Sequence, residues 1–281
     1  MFVEFDLPAG PVSLRLLVGP PNGPPLVLFH GVGRRGTDFL PIVPALATRW
    51  HLHLVDHRGH GGSSRGTGNY RVTDHVEDAL SVLNWLGRPA VLFGHSLGAL
   101  TVAGAAAVRS ELVQAVILED PPSAAFLRRL RETPYHATFT AMRRLAGSPR
   151  PVAEVARDLG ATPVPFAGGH VPLSTLRDGS ALRFVARCLR DVDPEVFTPA
   201  LEGTWLDGYD ERAVWQRIAC PALLLRGDPA GGGMLPQPDA DLMFLEMPDL
   251  TAIDVPGVGH LVHGLAPELT VRYVLNFLES L

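Results

Sequence analysis

The chain has 281 residues, of which 46% are hydrophobic and 19% charged, a mix that fills a sizeable core and excludes a disordered polymer. Its formal charge is −5, which leaves no basic footprint for nucleic acid. All 24 Lys/Arg positions are arginine, which removes a phosphate-loop lysine, a Schiff-base lysine and a Ser–Lys dyad at once.

In chain order, residues 3–7 and 12–18 read as two strands joined by a Pro-Ala-Gly-Pro turn. Residues 26–29 form a short apolar run ending in His-Gly, as in a strand buried on both faces. A short helix over 41–48 and an alternating strand over 51–55 follow, then a Gly-rich loop over 56–64. Residues 73–86 carry a helical apolar stripe capped by Thr73 or Asp74. A buried strand over 90–93, a helix of small residues over 97–109 and a strand over 113–118 come next. Strands over 222–225 and 251–255 and an amphipathic helix over 267–281 close the chain. Strands alternating with helices predict an α/β fold with a mostly parallel sheet covered on both faces.

About a hundred residues between the strands near 119 and 222 show helical patterns and no clear strand. A structureless loop of that length is implausible, so the reading is a helical cap over residues 122–216. The core is then split into 1–121 and 217–281. The acidic N-terminus has no basic stretch before its apolar residues, and no apolar run is long enough to span a bilayer. A cytoplasmic protein that does not engage a membrane is expected. Two cysteines, Cys188 and Cys220, give neither a disulfide framework nor a metal cluster. No cofactor or metal motif is present.

Gly94-His95-Ser96-Leu97-Gly98 matches G-x-S-x-G between a predicted strand and a predicted helix. Such a turn is sharp, strains the serine backbone and crowds the positions two before and two after it, so both need glycine. Without that context the pattern would be a Gly-rich turn with an ordinary serine. A serine hydroxyl needs a base, and His260, after the last strand, falls at the same sheet edge as Ser96. His263 is the alternative base, or a histidine on a helix face at the pocket rim. His95 is expected to point elsewhere, and His57 and His60 to be turn or surface residues.

His30-Gly31, Asp56-His57-Arg58-Gly59-His60-Gly61-Gly62-Ser63, the 94–98 motif and Gly259-His260 follow one another in this order. With them the chain resembles the α/β-hydrolase superfamily over essentially its full length. It looks most like cap-bearing esterases, lactonases, carbon–carbon hydrolases and cofactor-free haloperoxidases. The resemblance implies oxyanion donors at the backbone N–H of Leu97 and Val32, with Gly33 as neighbour to Val32, and His30 as support of that loop. It implies a triad acid at Asp228, in the order Ser96, Asp228, His260, or at Asp120 or Glu119 at the end of the strand after Ser96. Asp56, Arg58 and Ser63 read as a structural turn network. Arg34 and Arg35 read as solvated loop charges rather than ligands of a substrate carboxylate.

Phe126, Tyr135, Phe139 and Trp205 are the cap aromatics expected to bind substrate. The reaction expected is hydrolysis of a medium-sized, largely apolar ester or lactone through a Ser-His-Asp triad and an acyl-enzyme. A carbon–carbon bond hydrolase or perhydrolase is the enzymatic alternative. A non-hydrolytic ligand binder or cyclase reusing the site is the alternative of another class.

Overall fold

The structure, a computed structural model, describes residues 1–166 and 169–281. Its strands are β1 (Val3–Ala9), β2 (Val12–Val18), β3 (Pro25–Phe29), β4 (His51–Val55), β5 (Ala90–His95), β6 (Val113–Glu119), β7 (Pro163–Phe166), β8 (Gly169–Pro172), β9 (Ala222–Gly227) and β10 (Leu250–Val255). Eight of them form one sheet in the order β1-β2-β4-β3-β5-β6-β9-β10. β1 pairs antiparallel with β2 and β2 with β4; every pair from β4 to β10 is parallel.

The sheet is covered on both faces because its central strands carry apolar residues that point to both sides. Val27 and Phe29 of β3 pack into one core and Leu26 and Leu28 into the other, the period-two alternation of a pleated strand. The first core includes the helices Val72–Leu86 and Leu97–Val108. The second takes Val274, Phe277 and Leu278 of the terminal helix Pro267–Glu279. The helix after Ser96 is buried from Leu97 to Ala106, and its small residues permit that close packing on the sheet.

Between β6 and β9 the chain runs through short helices, of which Pro134–Leu145, Val152–Gly160 and Gly179–Leu189 are the longest. Here the expectation of helices without strands is corrected: β7 and β8 form an antiparallel hairpin. Prolines at 163, 165 and 172 mask it, since proline in a run argues against a strand unless it is isolated from a larger sheet. A helix over Gln237–Glu246, punctuated by Pro236 and Pro238, also escapes the hydrophobic pattern. Among the described residues no helix is long and apolar enough to cross a membrane.

The loop over 56–64 is a hydrogen-bonded turn. Asp56 accepts from the Gly36 and Gly62 N–H groups at 2.7 and 2.9 Å, and Ser63 Oγ donates to the Asp56 carbonyl. Arg58 forms a buried two-pronged pair with Asp78, both contacts 2.7 Å.

Candidate active site

Ser96 lies between β5 and its helix with φ 56° and ψ −117°, a conformation few non-glycine residues adopt. Close backbone approach enforces it. A Cβ on Gly94 would sit 2.1 Å from the Gly98 carbonyl oxygen, and one on Gly98 would sit 1.9 Å from that of Phe29. The Ser96 N–H donates to the Glu119 carbonyl at 2.9 Å, which ties the turn to the end of β6. The residue is only 3% exposed.

His260 reaches the same edge from the loop after β10. Its carbonyl accepts from Nε2 of His95, the neighbour of Ser96, at 3.0 Å. Its Nδ1 donates to Asp120 Oδ2 at 2.6 Å. Asp120 has φ 43°, so the chain leaves β6 in a left-handed turn. Its carboxylate also accepts from the Gly227 N–H at 3.0 Å and the Met234 N–H at 2.8 Å. Three donors therefore satisfy and orient a fully buried carboxylate.

The expected Asp228–His260 hydrogen bond is not what forms. Asp228 accepts from Ala230 N–H at 2.8 Å and Gly257 N–H at 2.9 Å, and these bonds hold its carboxyl below the usual carboxylate range. The physical reason is at Gly227, whose backbone packs against Gly259 so closely that a Cβ would lie 2.7 Å from the Gly259 carbonyl. With the two loops in contact, the side chain one residue further on turns into the 256–258 turn, and Asp120 fills the space behind His260.

The loop after β3 is held by histidines. His30 Nδ1 donates to the Gly31 carbonyl at 2.8 Å, and its Nε2 accepts the His57 N–H at 3.1 Å, which fixes its tautomer. His60 Nδ1 donates to the Arg58 carbonyl, and its Nε2 accepts the Gly33 N–H at 2.9 Å. Burial pushes His30 down to about 4 and His60 down to about 3, and it pushes His57 and His75 well below the ordinary value. His57 and His60 are thus not surface residues; both are fully buried, because the loop they support runs beneath the site. The Gly33 N–H is committed to His60. The Val32 and Leu97 N–H groups have no acceptor among the described residues.

Aromatic side chains follow one another across the site. Tyr135 lies 5.7 Å, ring to ring, from His260; Phe126 and Phe139 flank Tyr135 at 5.9 and 6.1 Å, and Phe197 is 6.0 Å from Phe139. The Tyr135 hydroxyl donates to the Gly232 carbonyl. Met142 and Phe197 close over Gly33, where a Cβ would meet them at 2.4 and 3.0 Å. Trp205 lies elsewhere, in the wall of a cleft of about 740 Å³ with Leu127, Leu130 and Tyr209; that wall includes neither Ser96 nor His260. Arg34 and Arg35 are paired, with Asp38 at 3.2 Å and Asp191 at 3.5 Å.

A family model described as alpha/beta hydrolase fold matches residues 24–264. The chain belongs to the α/β-hydrolase superfamily. It is 28% identical over 265 residues to the 2-(acetamidomethylene)succinate hydrolase of Mesorhizobium japonicum, covering 92% of this chain and 89% of that one. It is 43% identical over 86 residues to a pimeloyl-[acyl-carrier protein] methyl ester esterase of Stenotrophomonas maltophilia, 31% of this chain and 32% of the relative. The crystal structure of E-2-(acetamidomethylene)succinate hydrolase superposes with a TM-score of 0.63 at 26% identity, covering 99% of this chain and 100% of that one. This α/β-hydrolase chain therefore has hydrolase homologues across its whole length.

In this hydrolase, the sequence motifs bring Ser96, His260, Val32 and Leu97 to one sheet edge. Sequence reasoning missed Met142 and Asp38; it read Glu119 as an alternative acid and His263 as an alternative base, and it did not join the three into one buried set. The His-x-x-His spacing at 260–263 was the available signal for that set. It reads equally well as a helix face.

Proposed function

We propose that this protein is a serine hydrolase that cleaves a largely apolar carboxylic ester or lactone through an acyl-enzyme. The 2.6 Å contact between Asp120 and His260, beside a serine in a strained turn, is the observation that carries this reading. With Nδ1–H donated to Asp120, the Nε2 lone pair of His260 is free to act as base. Ser96 Oγ attacks the substrate carbonyl carbon, and its proton passes to Nε2. The oxyanion takes hydrogen bonds from the Val32 and Leu97 N–H groups, and the second sits at a helix N-terminus that favours negative charge. Collapse expels the alcohol, which leaves with the proton from Nε2. Water then repeats the sequence on the acyl-enzyme and releases the acid.

Residues 122–216 serve as the cap in this reading, with Tyr135, Phe139, Met142 and Phe197 facing the acyl group. Their apolar character and the internal pairing of Arg34 with Asp38 support an uncharged acyl chain. A second reading draws on the full-length relative: hydrolysis of a 2-(acetamidomethylene)succinate-like carboxylate at the same triad, with half-buried Arg177 near Tyr135 as counter-charge.

A fluorophosphonate probe with peptide mapping tests the nucleophile; the adduct belongs on Ser96, and an adduct elsewhere refutes the assignment. Turnover across p-nitrophenyl acetate to octanoate, a lactone panel and 2-(acetamidomethylene)succinate separates the two readings. A protein that binds these compounds and returns them unchanged is a binder instead.

A further inference from the structure

Behind the proposed triad lies a second cluster of ionisable groups that the reaction does not use. Glu119, next to Asp120, is fully buried and accepts twice from His263: from its backbone N–H at 2.9 Å and from its Nδ1–H at 2.7 Å. The other ring nitrogen, Nε2, faces Asp38 Oδ2 at 3.6 Å. That contact is a charge contact beyond hydrogen-bond reach, and a carboxylate at each ring nitrogen favours the doubly protonated imidazole. Burial alone would push the ring down; the Glu119 charge and the contacts with Asp38 and Glu119 outweigh it and raise it to about 9. His95 is a further titratable neighbour, with ring centroid 5.2 Å away; past Asp38 come Arg34, Arg35 and His30.

The cluster bridges the parts of the site. The Glu119 carbonyl holds the Ser96 N–H, its side chain holds His263, and His263 lies three residues after His260. We propose that His263 is a positioning residue, a buried cation clamped by Glu119 and Asp38 that fixes the His260 loop against the strand ends bearing Ser96 and Asp120. This rests on His260 being the general base. When the cation loses its proton, two buried carboxylates face each other across a neutral ring and the clamp loosens. Turnover then has a ceiling on the alkaline side set by His263, a group that never touches substrate.

Glu119→Gln is the discriminating variant, because the amide oxygen still accepts the His263 backbone N–H while the charge is gone. In the wild type, ring ¹⁵N signals of His263 should show both protons from pH 5.5 to 8, and kcat should fall as that ring titrates near pH 9. In Glu119→Gln the alkaline limb of kcat should move down by at least one pH unit, with KM for a small acetate ester within about two-fold. Glu119→Asp should restore part of the shift. A neutral His263 ring at pH 7, or an alkaline limb that stays in place in Glu119→Gln, overturns the proposal. If Glu119→Gln fails to fold, the wild type decides alone: the ring titration and the kcat limb must coincide within half a pH unit. A fluorophosphonate adduct away from Ser96 would refute the triad, yet it would leave the charge state of His263 unaffected, so the two failures are distinguishable.

Discussion

Asp120 holds His260 at 2.6 Å from a left-handed turn at the end of β6, the strand that lies beside the nucleophile strand in the sheet. The carboxylate is oriented before any substrate arrives, because Gly227 and Met234 hold both of its oxygens. This geometry ranks the acids. Asp120→Asn keeps the shape but removes the acceptor that selects the imidazole tautomer. By analogy with the serine-protease triad it should lower kcat by about 10⁴-fold. Asp228→Asn should change kcat by no more than a few-fold. Steady-state kinetics on one ester settles the ranking, and the opposite order would return the acid to the loop after β9.

Two glycines should respond differently to one methyl group. On Gly98 it would lie 1.9 Å from the Phe29 carbonyl, a backbone atom that cannot give way, so Gly98→Ala should yield little folded protein. On Gly31 it would lie 2.8 Å from His95 Nδ1 and 3.1 Å from Ser96 Cβ. Gly31→Ala should therefore fold but displace the serine and the oxyanion loop, with kcat down by about 10–100-fold, the scale expected when a reacting group is misplaced by about 1 Å. Soluble yield, thermal unfolding and kcat separate the two outcomes.

Buried histidines give stability a maximum in pH. His30 and His53 are pushed down to about 4 and His60 to about 3, with His57, His75 and His95 well below the ordinary value, all chiefly by burial. Their folded-state values lie below the unfolded one near 6.5, so the stability they contribute is present above pH 6.5 and lost as pH falls. Each therefore removes up to roughly 1.4 kcal/mol of stability per pH unit as pH falls from 6.5 toward its folded-state value. His263 has the opposite sign: raised to about 9, it contributes fully below pH 6.5 and loses its contribution as pH rises through 9. Urea midpoints between pH 4.5 and 9.5 should peak near 6.5. A midpoint that rises steadily to pH 9 would show that these rings do not carry the assigned charges.

Aromatic residues should sort by position rather than by type. Phe139→Ala opens space next to Tyr135 and should shift preference toward longer or bulkier acyl esters while acetate turnover changes little. Trp205→Ala, in the separate cleft, should lower the melting temperature and leave the chain-length profile intact. Its indole is nearly fully buried, so truncation costs about 3–5 kcal/mol of packing. Profiles over acetate to octanoate and a thermal melt of each variant are sufficient. A changed profile in Trp205→Ala would place the cleft on the substrate path.

The sequence by itself determined whatever depends on neighbours along the chain. Gly94 and Gly98 around Ser96 specify a strained turn because backbone crowding is local. The alternation in β3 and the small residues over 97–106 specify a covered sheet because burial follows period. The position of His260 follows from its place after the last strand. Tertiary structure alone decided which carboxylate meets that histidine. Asp120, Glu119 and Asp228 all stand at strand ends on one edge, and chain order favours Asp228. The choice turns on the contact of Gly227 with Gly259, which sends the Asp228 side chain outward, and on the left-handed turn that sends Asp120 inward. Glu119, His263 and Asp38 come from three distant stretches of chain, and no spacing in the sequence reports that their charges converge.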